Sequence, residues 1–204
     1  DHANGNNMGH VKVYRFDNNT AQWGLLGSAI LGSGETGNWG RSVSLNGPGN
    51  ILAIGNHFDV KTYAYQGDSW EPLGQTLVEQ NLVGSGTEFG RSVSLDASGN
   101  KLAIGAPHYN KPNGDGTLSF RDGSVTTYEF DHTTKGWKQF GNIMIGEARE
   151  DRLGYSVSLS SDGMRLAVGA DENDGTGEDS GPARIYDYDT AKQEWKQFGD
   201  DING

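Results

Sequence analysis

The sequence contains no cysteine, and this absence removes thiol catalysis, cysteine-ligated zinc and a disulfide framework together. Basic residues are scarce, because 16 Lys and Arg stand against 27 Asp and Glu and give a formal net charge of −11 at pH 7. Such a chain repels phosphate backbones, so the composition argues against a nucleic-acid-binding protein. No apolar run approaches the roughly 20 residues that a membrane-spanning helix needs.

Glycine and aromatic residues are what the chain has in abundance. Its 204 residues include 32 glycines, together with five Trp, eight Tyr and seven Phe. This aromatic content speaks against disorder, and the length is sufficient to bury a core without covalent cross-links. We therefore expect a folded, turn-rich, acidic, all-β protein.

A six-residue segment recurs three times along the chain, at residues 40–45, 90–95 and 154–159. Its Ser-Val-Ser-Leu part alternates small polar and apolar residues with a period of two, which predicts a strand. After a turn, each copy is followed by a second apolar stretch that ends in glycine. A glycine within each turn supplies the positive φ of a tight connection, so each copy predicts a β-hairpin.

A second pattern occurs four times and consists of a tyrosine-bearing strand followed by a tryptophan-bearing strand. Its members are Tyr14 with Trp23, Tyr63 with Trp70, Tyr128 with Trp137, and Tyr186 with Trp195. A period of roughly 50 residues with four short antiparallel strands is typical of a propeller blade. We therefore predict an all-β fold, a β-propeller-type array of four-stranded antiparallel blades, with about three and a half blades in this chain. The aromatic residues are expected to pack between blades and the serines to line the inner strands.

The repeats divide the chain into one half blade and three blades within one propeller-like domain. The half blade, residues 1–33, holds only the tyrosine and tryptophan strands, and the blades span residues 34–83, 84–147 and 148–204. Closed propellers usually have about four to eight blades. We therefore expect a part of a longer protein, or a chain completed by another copy. Because open strand edges are templates for pairing, self-association through them is also expected.

Residues 89–107 carry a family resemblance. They begin with Phe89-Gly90, end with Gly105-Ala106-Pro107, and resemble an FG-GAP repeat, the blade unit of the integrin α-subunit propeller. The other copies are degenerate versions of this pattern. The resemblance implies an extracellular β-propeller. The Asp-x-Asp-x-Asp-Gly calcium loop of that family has no match in the short hairpins of this chain, so that site is not carried over.

Acidic residues gather in loops that we expect on one face of the fold. One loop covers residues 171–179, and its neighbour covers residues 147–151. Oxygen ligands spaced around glycines suit Ca²⁺. The candidate ligands are Asp171, Asn173, Asp174 and Asp179. No bidentate Glu closes this loop, so the alternative is a solvated acidic surface, and Ca²⁺ is the sole cofactor that the sequence suggests.

A glycosylation sequon, Asn18-Asn19-Thr20, lies on a predicted turn and makes Asn18 a candidate acceptor. No catalytic or cofactor-binding residue is assigned. The recurring serines do not lie in a nucleophile elbow, and the histidines show no spacing suited to a metal. We interpret the histidines as surface loop residues; they are His2, His10, His57, His108 and His132.

Together these patterns predict a non-enzymatic extracellular scaffold, secreted or at the cell surface, that acts in adhesion or in fibrous or matrix assembly. Its contacts would use the loops and the strand edges. We expect a protein or glycan partner on the acidic loop face, no nucleic acid and no membrane insertion. One alternative is a calcium-dependent carbohydrate-binding propeller. A less favoured alternative is a propeller glycosidase or lyase.

Overall fold

A computed structural model describes residues 9–32, 38–79, 86–171 and 181–203, in which every regular element is a strand. The first range contains β1 (His10–Val11), β2 (Tyr14–Asp17), β3 (Gln22–Leu25) and β4 (Ile30–Leu31). β2 and β3 form an antiparallel hairpin, and β1 pairs with β4. The chain therefore begins its described part with two small two-stranded sheets.

Three larger sheets follow, each built from strands in consecutive chain order. The first consists of β5 (Ser42–Leu45), β6 (Ile51–Gly55), β7 (Asp59–Gln66), β8 (Ser69–Pro72) and β9 (Leu77–Val78). The second consists of β10 (Ser92–Leu95), β11 (Lys101–Ala106), β12 (Ser124–Asp131), β13 (Gly136–Gln139) and β14 (Met144–Ile145). The third consists of β15 (Leu153–Leu159), β16 (Arg165–Ala170), β17 (Ala183–Asp189) and β18 (Glu194–Gln197). All the named strand pairs are antiparallel.

The strands β5, β10 and β15, each at one edge of its sheet, contain the Ser-Val-Ser-Leu segments predicted from the sequence. Their serines join neighbouring sheets, because the Ser42 hydroxyl donates to the Gly90 carbonyl at 2.7 Å and the Ser92 hydroxyl donates to the Gly154 carbonyl at 2.8 Å. The approach is close enough that a Cβ on Gly105 would lie 2.0 Å from the Gly154 carbonyl oxygen. Position 105 therefore requires glycine, because any side chain there would collide with the backbone of the neighbouring sheet.

The four aromatic hairpins are β2–β3, β7–β8, β12–β13 and β17–β18, and each carries one of the predicted tryptophans. Trp70, Trp137 and Trp195 are buried in three separate apolar clusters, with exposed fractions of 8%, 4% and 4%. Trp23 is different, because 68% of it is exposed. The four tryptophans are thus not in equivalent surroundings.

The predicted β-propeller-type array of four-stranded blades is wrong. The described strands form five sheets of two to five strands, and they do not close into a ring. The prediction assumed that every tyrosine and tryptophan pair is packed between neighbouring sheets, and the exposed Trp23 contradicts this assumption. The division into residues 1–33, 34–83, 84–147 and 148–204 stays a prediction.

Candidate functional site

The turns at the starts of β5, β10 and β15 bring polar side chains together. The residue that begins each turn has a positive φ, 38° at Asn38, 56° at Glu88 and 52° at Arg152. Non-glycine residues in this conformation cost roughly 1–3 kcal/mol each and tend to occur at functional sites. Their carbonyls accept hydrogen bonds from the backbone N–H groups three residues on, which belong to Arg41, Arg91 and Tyr155. Each turn therefore fixes two side chains close to each other.

Glu88 lies in the middle of this cluster, with 16% of its side chain exposed. Its Oε2 accepts a hydrogen bond from Nη2 of Arg41 at 3.0 Å and lies 3.6 Å from Nε of Arg91. Its Oε1 lies 3.5 Å from Nδ1 of His57 and 3.8 Å from Nδ1 of His108. One carboxylate therefore faces two guanidinium groups and two imidazoles, and we call these five residues the Glu88 centre.

The two imidazoles of the Glu88 centre have different partners. Nε2 of His57 lies 2.9 Å from Nδ2 of Asn38 and is also contacted by Nη1 of Arg41. Both of these neighbours are donors, so Nε2 of His57 is an acceptor that is already used. Nε2 of His108 makes no hydrogen bond to the residues described by the structure, and 24% of this side chain is exposed. His108 is therefore the imidazole that a bound molecule can contact.

Both histidines are shifted toward the neutral form. Burial lowers the pKa of His108 below its ordinary value of 6.5; Arg121, Arg152 and Arg41 lower it further, while Glu88 opposes them. Burial also lowers the pKa of His57, and Arg41 adds to this effect. A neutral imidazole near pH 7 is the form that accepts a proton. The lowered pKa therefore favours the form of His108 that can accept a proton.

Arginine dominates the charge around these histidines. The guanidinium of Arg91 lies over the ring of Tyr155, with 4.1 Å between its Cζ and the ring centroid. The buried Nε atoms of Arg41 and Arg91 have no hydrogen-bond partner within the described ranges. Guanidinium groups recognise carboxylates and phosphates through such donors. In a chain of net charge −11, this cationic cluster is suited to an anionic ligand.

The predicted calcium ligands fall mostly outside the described ranges. Asp171 is partly buried at the end of β16, whereas Asn173, Asp174 and Asp179 belong to residues 172–180, which are not described. Among the described residues, no group of three or more His, Cys, Asp or Glu could hold a metal ion. Calcium binding through Asp171 and its neighbours stays a prediction.

The neighbouring acidic loop, residues 147–151, is engaged by a buried arginine. Arg184 is 2% exposed; its Nη2 donates to Glu147 at 3.1 Å, and its Nε donates to Asp201 at 3.0 Å. Asp151 lies 3.9 Å from Nη1 of the same guanidinium. These carboxylates compensate a buried positive charge, which gives part of the acidic loop a structural role.

Asn18 lies in the exposed turn between β2 and β3. Asp17 shapes this turn by accepting hydrogen bonds from the backbone N–H of Asn19 and from the hydroxyl of Thr20. An exposed turn is where an acceptor for glycosylation is accessible. Modification of Asn18 stays a prediction.

The sequence analysis missed the Glu88 centre. It interpreted His57 and His108 as unrelated surface residues, although His57 is the second residue after Gly55 and His108 the third after Gly105, and these two glycines are equivalent in the repeat. Arg41 and Arg91 likewise share one position of the recurring six-residue segment. Equivalent positions in a repeat lie close together in space, and this is the signal that could have found the cluster.

Comparison with known proteins gives a likeness of fold alone. A scan against protein families finds no match, and no curated protein matches. Among 247 matching chains of solved structures is a protein from Bacteroides uniformis ATCC 8492 that carries a provisional assignment as a 6-phosphogluconolactonase. The TM-score is 0.60 and the identity 10%, over 95% of this chain and 48% of that one. The chain therefore shares an all-β fold with this neighbour and spans about half its length.

This likeness corrects the sequence-based interpretation. The resemblance to the FG-GAP repeat of integrin α subunits is wrong, because no family matches and the fold neighbour is lactonase-like. The prediction of a non-enzymatic adhesive or fibrous scaffold is also wrong, since the neighbour points toward an enzyme. The calcium-dependent carbohydrate-binding propeller and the propeller glycosidase or lyase fall with the same prediction.

The cellular location is a separate matter. Within the part of the chain that the structure describes, no helix is long and apolar enough to cross a membrane. Extracellular localisation, the partner on the acidic loop face and the absence of nucleic acid and membrane partners stay predictions.

Proposed function

We propose that this protein is a hydrolase that opens the lactone ring of an anionic sugar derivative at the Glu88 centre. The observation that carries the proposal is the contact of one carboxylate with two imidazoles and two arginines in an otherwise acidic chain. The fold neighbour carries a provisional assignment as a 6-phosphogluconolactonase, and lactone hydrolysis uses a general base and donors that stabilise an oxyanion. A phosphorylated lactone presents an anion and a carbonyl to the same site.

His108 is the general base of the proposed reaction. Its Nδ1 faces Oε1 of Glu88, an arrangement that favours the proton on Nδ1 and leaves the lone pair on Nε2. Nε2 takes a proton from water as the water oxygen attacks the lactone carbonyl carbon. The bond between that carbon and the ring oxygen then breaks, and the imidazolium returns its proton to the departing alkoxide. One lactone and one water give one hydroxy acid.

The arginines of the Glu88 centre bind charge. Arg41 is held by Glu88 and by His57, so its guanidinium is fixed in orientation before a ligand arrives. Arg91 is held by the ring of Tyr155 and lies beside Glu88. Fixed donors of this kind stabilise the oxyanion that forms on the carbonyl oxygen. Guanidinium groups also bind phosphate. We assign this role to Arg91, which therefore selects phosphorylated substrates.

The selectivity of this site is the first test. Proton release measured in a pH-stat should show hydrolysis of 6-phosphogluconolactone above its spontaneous rate, and slower hydrolysis of unphosphorylated gluconolactone. Arg91→Gln should raise KM for the phosphorylated substrate by about 10- to 100-fold, because a charge-assisted hydrogen bond contributes roughly 1.5–3 kcal/mol. KM for the neutral lactone should change little.

Arg165→Gln is the matched control, because Arg165 is an exposed arginine that pairs with Asp187 on the third sheet. It should leave both KM values as they are. Equal loss for phosphorylated and neutral substrates in Arg91→Gln would contradict the assignment of Arg91. Hydrolysis of neither lactone above the spontaneous rate would contradict the proposed activity.

A further inference from the structure

The connection between β11 and β12 contains a small hairpin of its own, residues 111–119. An antiparallel bridge between Pro112 and Leu118 fixes the base of this hairpin. Its tip, where Asn113 precedes Gly114, is exposed to solvent. Exposed loop tips are the places where the backbone of a folded protein is most open to chemical change. The tip therefore presents an Asn-Gly pair to water.

An asparagine that precedes a glycine can react with the chain itself. The backbone nitrogen of the glycine attacks Cγ of the asparagine side chain, the bond between Cγ and Nδ2 breaks, and ammonia leaves with the proton of the backbone nitrogen. The resulting succinimide adds one water molecule and opens to aspartate or isoaspartate. Asparagine is a thermolabile residue, and a following glycine promotes the reaction because it has no Cβ to hinder closure of the ring.

The two reacting groups at the hairpin tip are lightly held. Nδ2 of Asn113 makes one hydrogen bond, which it donates to Oγ1 of Thr117 at 3.0 Å. The backbone N–H of Gly114 donates to no atom of the described residues. A Cβ on Gly114 would meet nothing within 4 Å, so the space around this nitrogen is open. Nucleophile and side-chain amide can therefore approach each other without opening of the fold.

The same dipeptide occurs at Asn46 and Gly47, in the turn between β5 and β6, and there it is locked. Asn46 is 5% exposed, and its Oδ1 accepts hydrogen bonds from the backbone N–H groups of Asn50 and Ile51, both at 2.9 Å. The backbone N–H of Gly47 donates to the Ala97 carbonyl of the second sheet at 2.9 Å. Attack on Cγ of Asn46 would require these bonds to break. The chain thus carries a reactive and a protected copy of one motif.

We propose that Asn113 is a site of spontaneous deamidation in the folded protein and that Asn46 is protected from it. The product has one more negative charge in the turn that also holds the carboxylate of Asp115, and it lacks the amide that donates to Thr117. In the isoaspartate form the backbone passes through the former side chain and is longer by one carbon. The hydrogen bonds between positions 113 and 117 are then disturbed, so the hairpin tip changes in both charge and shape.

Peptide mapping by mass spectrometry over a time course tests the proposal. The wild-type chain is incubated at neutral to mildly alkaline pH and then digested with pepsin in acid, which stops the reaction before analysis. Conversion at Asn113 should exceed conversion at Asn46 by at least about tenfold, because a reaction that needs local opening slows tenfold for each roughly 1.4 kcal/mol of opening free energy. In guanidinium chloride, which unfolds the chain, the two positions should convert at similar rates.

Gly114→Ala is the matched variant, because position 114 has no positive φ and has open space for a Cβ. It retains Asn113 but hinders closure of the succinimide, so conversion at Asn113 should fall severalfold. Equal conversion of Asn46 and Asn113 in the folded chain would overturn the proposal, as would an Asn113 that keeps its amide while the unfolded chain reacts. Wild-type conversion in Gly114→Ala would also overturn it, because the nitrogen of Gly114 would then not be the nucleophile.

Discussion

Replacement of His108 by Gln is expected to lower kcat/KM for 6-phosphogluconolactone by about 10²- to 10⁴-fold, the range typical of a lost general base. Glutamine keeps a similar volume and polarity but cannot take a proton from water. The loss should appear mainly in kcat, because the imidazole acts in the transition state and the arginines that bind the anion are unchanged. Initial rates from a pH-stat, corrected for spontaneous hydrolysis, give both constants.

Two further variants serve as a control and as a test of the residue that orients His108. His132→Gln is the control, since His132 lies in the turn between β12 and β13 and contacts Oδ1 of Asn100; it should retain full activity. Glu88→Gln should lower kcat while it leaves a measurable rate, because an amide can still orient the Nδ1 side of His108. If His108→Gln kept wild-type kcat, the assignment of the base would be wrong.

Replacement of Trp137 by Ala is expected to lower the free energy of unfolding by about 3–5 kcal/mol, the usual cost of removing a buried tryptophan. Trp137 is 4% exposed, its indole N–H donates to the Thr62 hydroxyl at 2.8 Å, and its ring packs edge-on against Phe130. The substitution leaves a cavity above Gly74 and removes the donor to the Thr62 hydroxyl, which keeps its own hydrogen bond to the Leu73 carbonyl. Urea unfolding followed by circular dichroism measures the change.

Trp23→Ala provides the matched comparison within the same chain. It removes the same side chain from the equivalent position of another hairpin, but at a site that is 68% exposed. Exposed substitutions usually change stability by no more than about 0.5 kcal/mol. Equal losses for Trp23→Ala and Trp137→Ala would contradict the packing described for the aromatic hairpins.

The strands themselves were predictable from the sequence. Ser42–Leu45 and Ser92–Leu95 alternate polar and apolar residues as strands do, and both are strands in the structure. The tyrosine and tryptophan strands also occur where they were expected. This pattern is local, because it depends on pleating and on turns, and both can be derived from a few adjacent residues.

The arrangement of the sheets was not predictable in the same way. The recurring motifs suggested a closed array, but closure depends on whether each aromatic pair finds a neighbour, and Trp23 does not find one. Nothing in the residues around Trp23 differs enough from those around Trp137 to reveal its exposure. A repeat pattern defines the unit and its preferred contact, whereas the number and closure of units depend on contacts far apart in the chain.

The candidate site shows why its residues could not be recognised one by one from the sequence. His57 and His108 lie 51 positions apart in the sequence, yet both face one carboxylate oxygen of Glu88. The sequence analysis looked for ligands or nucleophiles within short motifs, and these two histidines belong to none. Their common feature is that each follows an apolar strand of the repeat. Only the packing of consecutive sheets brings these similarly placed histidines close together.

The pH dependence of kcat/KM for 6-phosphogluconolactone tests the central claim most directly, namely that a neutral imidazole in an arginine cluster hydrolyses an anionic lactone. Only the unprotonated His108 is active, so kcat/KM should fall as pH falls through its pKa. Because burial and the arginines lower this pKa, the midpoint of the fall should lie below the ordinary imidazole value of 6.5. In His108→Gln the same acidic limb should be absent. An unchanged limb in that variant, or no enzyme-dependent hydrolysis at any pH, would contradict the account.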